Sequence, residues 1–230
     1  MTIEKTSVGL RERLVSNRIF IAIELAIVLA LIAADQFGLI RVPLTLTLPL
    51  LLIGWLSLRL RGLGWRDVGL RAPSNWKKTI VLALTIATIH QLISTFVLIP
   101  FLQQVTGQAI DLSLVDQLEG NLAMLGLSLI VAWLLAGFGE EFVYRGYLLN
   151  RFADVFGQHP MRWILGYLLT SLLFGWAHQY QGIVGIVDTF VGALVLGGLY
   201  LYSGRNLWLS ILAHGFYDTI AFIFAFFNVI

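Results

Sequence analysis

Three short stretches hold most of the side chains that could do chemistry. Gly139-Glu140-Glu141-Phe142-Val143-Tyr144-Arg145 sets two adjacent carboxylates at the end of an apolar run, with an arginine four residues after the second. On a helix that spacing makes Glu141 and Arg145 neighbours on one face. Phe174-Gly175-Trp176-Ala177-His178 ends in a histidine, and in His214-Gly215-Phe216-Tyr217-Asp218 a second histidine shares a helical face with an aspartate. A carboxylate beside a histidine can hold and deprotonate a water, and a second histidine with a polar neighbour can donate to the oxyanion of an attacked carbonyl. That is the logic of peptide hydrolysis. Arg145 pairs with Glu141 and leaves Glu140 unpaired, so the two are expected to divide the labour: Glu140 as base, Glu141 as structural partner.

The elements that position these groups follow from composition. The chain has 230 residues, 58% hydrophobic and 12% charged, with mean hydropathy +0.85, whereas soluble domains carry about 25% charged residues. A soluble fold could not hide that much apolar surface, so the expectation is an all-α, polytopic transmembrane bundle. Apolar stretches run from Ile19 to Ala34, Val42 to Leu58, Thr79 to Phe101, Leu122 to Phe138, Trp163 to Ala177, Ile183 to Tyr202 and Leu207 to Ile230. That makes about seven spans, within a range of six to eight. Residues 1–121 read as N-terminal transmembrane helices and loops, and the chemistry falls after them, all within a single integral membrane domain.

If the N-terminus is cytoplasmic, the inner segments Met1 to Arg18, Arg59 to Lys78, Arg145 to Arg162 and the turn at Arg205 hold fourteen of the fifteen Lys and Arg. The loop from Leu102 to Asn121 carries Asp111, Asp116 and Glu119 and no basic residue. The positive-inside rule thus gives an inner N-terminus, and the first span reads as a retained signal anchor. A sequence pI near 9.0 is explained by this topology and not by a nucleic-acid partner, since no continuous basic domain exists. The absence of cysteine excludes disulfides, zinc–thiolate sites and cysteine nucleophiles. The segment from Leu60 to Lys78 has turn composition, with a short interfacial helix expected around Trp65 and Trp76.

Helix rise can bring the separated groups to one depth. If the fourth helix runs on through the glutamates and turns near Gly157 to Pro160, the fifth returns antiparallel. Glu140 lies nineteen positions before residue 159 and His178 nineteen after it. Both then sit about 28 Å from the turn, and His214 about 13 Å from the turn at Arg205. The site is expected within the cytoplasmic half of the bilayer.

Glu-Glu-x-x-x-Arg, Phe-x-x-x-His and His-x-x-x-Asp, in this order on separate spans, resemble the CPBP family of CAAX-type prenyl endopeptidases and bacteriocin-processing proteins. The likeness extends to Phe142-Val143-Tyr144-Arg145-Gly146, Phe190 through Tyr200, and Ser203-Gly204-Arg205-Asn206-Leu207-Trp208 before the last histidine. It covers about residues 122–222, which it marks as an intramembrane protease core. It implies an intramembrane endopeptidase of glutamic type, acting on a membrane-proximal or lipidated, CAAX-like peptide. In that reading Glu140 with His178 activates water, and His214 with Asp218 steadies the oxyanion. The family's usual residue at the last place is Asn; an ionised Asp218 cannot donate, so it is expected to orient His214 instead.

No cofactor is implied. A zinc variant, with Glu140, His178 and His214 as ligands, would fit a catalytic three-ligand set but lacks a His-Glu-x-x-His element. A rival reading is a non-catalytic binding or immunity protein on the same fold, and a third is a transporter, for which no paired interrupted spans are found. The partners expected are the lipid bilayer and a membrane-associated substrate, with no nucleic acid; the membrane expected is the cell's plasma membrane. Substrate-binding residues and oligomeric state are not readable from the residues. Phe174, Trp176, Phe216 and Tyr217 are expected to pack, Glu24, His90 and Asp188 to satisfy interhelical hydrogen bonds, and His159 to be solvated. Trp65, Trp76 and Trp163 are expected as interfacial anchors.

Overall fold

The computed structural model describes residues 17–42 and 45–229. The basic residues Lys5, Arg11 and Arg13, on which part of the orientation argument rests, lie outside them. Among the described residues there are seven helices and no strand: α1 Arg18–Gln36, α2 Thr47–Leu60, α3 Trp76–Thr106, α4 Leu122–Phe156, α5 Arg162–Ala177, α6 Gly182–Tyr202 and α7 Leu207–Phe226. α1, α3, α4, α6 and α7 are long and apolar enough to cross a membrane. α2 and α5, with 14 and 16 residues, fall short of the roughly 20 that a span needs.

Local chemistry sets the ends. Asn17, Asn75, Asn121 and Asn206 cap α1, α3, α4 and α7, each side chain accepting from a backbone N–H of the first turn; these donors have no partner within the helix. Gly107 ends α3 and Gly157 follows α4 with positive φ of 68° and 61°, a conformation that costs glycine little. α4 carries on through the glutamate pair to Phe156, as the depth argument required, and α5 starts back at Arg162.

On α1, Ile21, Leu25, Val28 and Ile32 are buried while Ile19, Ile23 and Ile27 are more than half exposed. One stripe packs and the other is left for lipid. The buried stripe joins Leu50 of α2, Val143, Tyr147 and Leu148 of α4 and Leu173 and Phe174 of α5 in one core. A second core links Leu58, Val68, Phe142, Tyr200, Leu207 and Ile211. A third joins Ala83 of α3 to Leu196, Leu199, Leu209 and Ala213, so α3 lies along α6 and α7.

Interhelical polar contacts fix the register. Glu24 receives Arg61 Nη2 at 2.5 Å and Tyr147 OH at 2.7 Å, tying α1 to the end of α2 and to α4, as expected for that residue. Arg145 Nη2 donates to Ala193 O at 3.0 Å, and Tyr167 OH to Leu194 O at 2.8 Å. Gly197 permits the second contact: a Cβ there would stand 2.7 Å from the Tyr167 ring.

The segment from Arg61 to Asn75 holds no helix, contrary to expectation. Gly62 and Gly69, at φ of 70° and 106°, break it into turns; Gly69 O accepts from Leu207 N and Arg71 O from Asn206 Nδ2, both at 2.9 Å. Trp65 lies edge-on against Phe142, ring centroids 3.8 Å apart, and Trp76 against Trp208 at 5.2 Å. Both tryptophans pack on the bundle. Trp163 takes the guanidinium of Arg205 over its ring at 4.3 Å, and His159 is exposed in the α4–α5 turn.

Candidate active site

α4 carries the glutamate pair in an unusual backbone. It is π-helical over Ala132–Glu140 and again over Phe142–Leu148. Each π turn closes i→i+5 hydrogen bonds, and such segments concentrate at functional sites. Neighbouring side chains on a helix point to different faces, and here the faces differ sharply. Glu140 lines a cavity of about 750 Å³, whereas Glu141 is fully buried in the packed interior.

The interior face is an ion-pair relay. Glu141 Oε1 accepts from Arg145 Nη1 at 2.6 Å and from His214 Nδ1 at 2.9 Å. Glu141 is 0% and Arg145 2% exposed, a depth at which an unpaired charge would cost several kcal/mol. Arg145 also lies over the Phe174 ring, 4.9 Å from its centroid. The pairing of Glu141 with Arg145 was legible from spacing; the bond from α4 to His214 on α7 was not.

With Nδ1 committed to a carboxylate, His214 presents Nε2 to Asp218. The separation to Asp218 Oδ2 is 3.7 Å, an ion-pair distance but too long for a hydrogen bond. Glu141, and not Asp218, therefore orients the His214 ring. His214 can be brought so near α4 because Gly137 and Gly215 carry no Cβ: one on Gly137 would stand 3.3 Å from Gly215 N, and one on Gly215 2.6 Å from the Trp133 ring.

α5 stops at Ala177, and His178 caps it. The short helix thus delivers His178 at its tip, before the turn Gln179–Gln181 leads into α6. Its Nδ1 lies 2.8 Å from Phe174 O. A carbonyl only accepts, so Nδ1 carries the proton and a neutral His178 keeps its lone pair on Nε2. Phe174, expected only to pack, sits between both histidines, with centroids 4.7 Å from His178 and 6.0 Å from His214.

Glu140, His178, His214 and Asp218 line the same cavity, joined by Phe174 and Tyr180. Its lining also includes His90, Gln91, Ser94, Thr95 and Asp188 from α3 and α6, with Tyr217 of α7. Asp188 accepts from Ser94 Oγ at 2.6 Å and from Tyr217 OH at 3.3 Å. Asp188 meets the expectation of an interhelical bond, Tyr217 does more than pack, and the His90 ring faces that of Tyr217 at 5.0 Å. The cavity reaches Asp111, Leu112, Leu114 and Val115 of the α3–α4 loop, at the far end of α3 from Lys77 and Lys78. Among the described residues, no three His, Asp or Glu side chains converge as ligands of one metal ion.

Comparison with known proteins adds to this geometry. Residues 122–220 match the family model described as type II CAAX prenyl endopeptidase Rce1-like. Over 99 residues the chain is 34% identical to an uncharacterized 24.3 kDa protein of Escherichia coli, covering 43% of this chain and 44% of that one. The chain thus spans under half the length of the curated relative it matches. No solved structure matches. The matched stretch opens with α4 and ends two residues past Asp218, so it takes in all three motifs that suggested the resemblance. Residues 122–220 of this polytopic membrane protein are a domain of the Rce1-like, CPBP family of CAAX proteases.

Proposed function

We propose that the chain is an intramembrane endopeptidase that hydrolyses a peptide bond of a membrane-associated or lipidated, CAAX-like substrate. The observation that carries this is the convergence of Glu140, His178, His214 and Asp218, from three elements, on one cavity. Glu140 is the base and His178 Nε2 its partner: between them they hold a water, and Glu140 takes its proton as the oxygen attacks the carbonyl carbon. His214, as imidazolium, donates from both nitrogens, Nδ1 to Glu141 and Nε2 to the oxyanion. The carbon–nitrogen bond then breaks, and the leaving amine takes the proton that Glu140 holds.

Glu141 and Arg145 are positioning residues in this scheme, and Asp218 is a second acceptor beside His214. The mechanism is proposed as metal-free. The chain is proposed to lie in the plasma membrane with its basic segments in the cytosol. In that orientation Glu140 is midway along α4, and the acidic-loop end of the cavity faces outward.

The test is cleavage of a quenched fluorescent peptide library, lipidated peptides included, by the purified chain in detergent. Wild type is compared with Glu140→Ala and His178→Ala, each with and without chelator. Cleavage abolished by both substitutions supports the assignment. Cleavage that survives both would refute it, and no cleavage by folded wild type would turn the reading towards a non-catalytic binding protein.

A further inference from the structure

The cavity that Glu140 lines also holds polar groups that the proposed hydrolysis does not use. Asp188 is 4% exposed, with hydroxyl donors on both oxygens. Gln91, one helical turn before Ser94 on α3, is 3% exposed; its Nε2 donates to Thr95 Oγ1 at 2.9 Å, and its Oε1 has no partner. A buried acceptor without a donor costs about 1–3 kcal/mol. A clip between α3 and α6 would need Ser94 and Asp188 alone. It would not need an unpartnered buried amide oxygen one turn away, nor a carboxylate lining the cavity.

Charge points the same way. The cavity is lined by four carboxylates, Asp111, Glu140, Asp188 and Asp218, and by His90, His178 and His214, with no Lys or Arg. Asp188 faces His90 but no permanent cation. A wall of that sign in a water-poor site favours a cationic guest, because charge-assisted hydrogen bonds are about twice as strong as neutral ones. The volume of about 750 Å³ suits several peptide side chains, as ligand pockets run from roughly 300 to 1,000 Å³. Tyr217 turns to Asp188 while the next residue, Asp218, faces His214. The acceptor wall therefore adjoins the hydrolytic groups along α7.

We propose that Asp188 and Gln91 form a recognition subsite for the lysine or arginine side chain of a peptide residue close to the scissile bond. The identity of the occupant as a peptide rests on the peptidase reading above. Asp188 accepts the charged head, and Gln91 Oε1 takes a further N–H.

The test measures binding, so that it does not depend on hydrolysis. The full chain carrying Glu140→Gln is held in a maltoside detergent, where no lipid amine competes. Fluorescein-labelled peptides that differ by lysine, arginine, norleucine or glutamate at one scanned position are titrated by anisotropy. Lysine and arginine peptides should bind about tenfold or more tighter than norleucine in one register, a difference of about 1.4 kcal/mol. Asp188→Asn, nearly isosteric, should bring them within about twofold, while Ser94→Ala, which removes the clip but keeps the charge, should preserve the preference. Equal binding of lysine and glutamate peptides overturns the subsite, as does a preference that survives Asp188→Asn. The unsubstituted wall decides through the first of these even if Asp188→Asn does not fold. Peptides that show the preference yet are left uncut by the chain with Glu140 intact would sink the peptidase reading and leave the subsite standing.

Discussion

Glu141 and His214, 73 residues apart in sequence, meet at 2.9 Å in the interior of the bundle. The same carboxylate oxygen receives Arg145 at 2.6 Å, so one atom fixes both the helix that carries the glutamates and the ring that faces the cavity. Adjacent glutamates thereby acquire unlike duties, and substitution should separate them.

Glu141→Ala strips Arg145 and His214 of their shared acceptor, and leaving a buried charge uncompensated costs about 3–5 kcal/mol. Its thermal unfolding midpoint in detergent should fall clearly. Glu140→Gln, at the cavity wall, should keep a midpoint close to wild type, a change within about 0.5 kcal/mol, and lose cleavage. Equal destabilisation by the two would refute the division of labour.

Close approach of α4 and α7 should be sensitive to one methyl group. Gly215→Ala drives a Cβ towards the Trp133 ring at 2.6 Å, while the indole is held by its Nε1–H to Thr219 Oγ1 at 3.1 Å. Overpacking of this kind costs about 1–3 kcal/mol, and the shift falls on the neighbour of His214. Cleavage well below the unfolding temperature should drop about tenfold or more, since small displacements of reacting groups cost rates of that order. Gly198→Ala, where nothing stands within 4 Å, is the control and should be silent.

The clip at Glu24 concerns stability and lies away from the cavity. Tyr147→Phe removes a 2.7 Å hydrogen bond to a carboxylate that Arg61 also holds, worth about 1.5–3 kcal/mol. The melting temperature should fall while activity per folded molecule is kept. Lost activity at full foldedness would show that α1 acts on the site.

Chelator should leave cleavage unchanged, and added zinc should not raise the melting temperature, because a bound ion stabilises the fold it binds. Inhibition by chelator, restored by zinc, would replace the metal-free scheme.

Much of this was legible from residue types alone. Among the described residues the seven apolar runs became seven helices, five of them long and apolar enough to cross a membrane, and the Gly157 turn was marked by glycine and proline. Glu140 and His178 line one cavity, and α4 continues unbroken through the glutamates to the turn. What escaped was contact across helices: neither Glu141 with His214 nor Asp188 with Ser94 and Tyr217 has a spacing signature, since long-range partners depend on packing angle. The Leu60 to Lys78 segment misled through its tryptophans, which stay exposed yet rest edge-on against Phe142 and Trp208, contacts that no spacing marks.

The widened backbone of α4 changes how its surface is ordered. Over Leu122–Val131, cysteines introduced one by one and tested with a water-borne thiol reagent should react with the ordinary 3.6-residue rhythm. From Ala132 to Leu148, apart from Glu141, the π geometry puts more residues in each turn, so the beat of reactivity should slow. A wheel drawn at 100° per residue would assign lipid-facing and cavity-facing positions wrongly across this stretch, and the labelling pattern itself would reveal where the change of pitch begins.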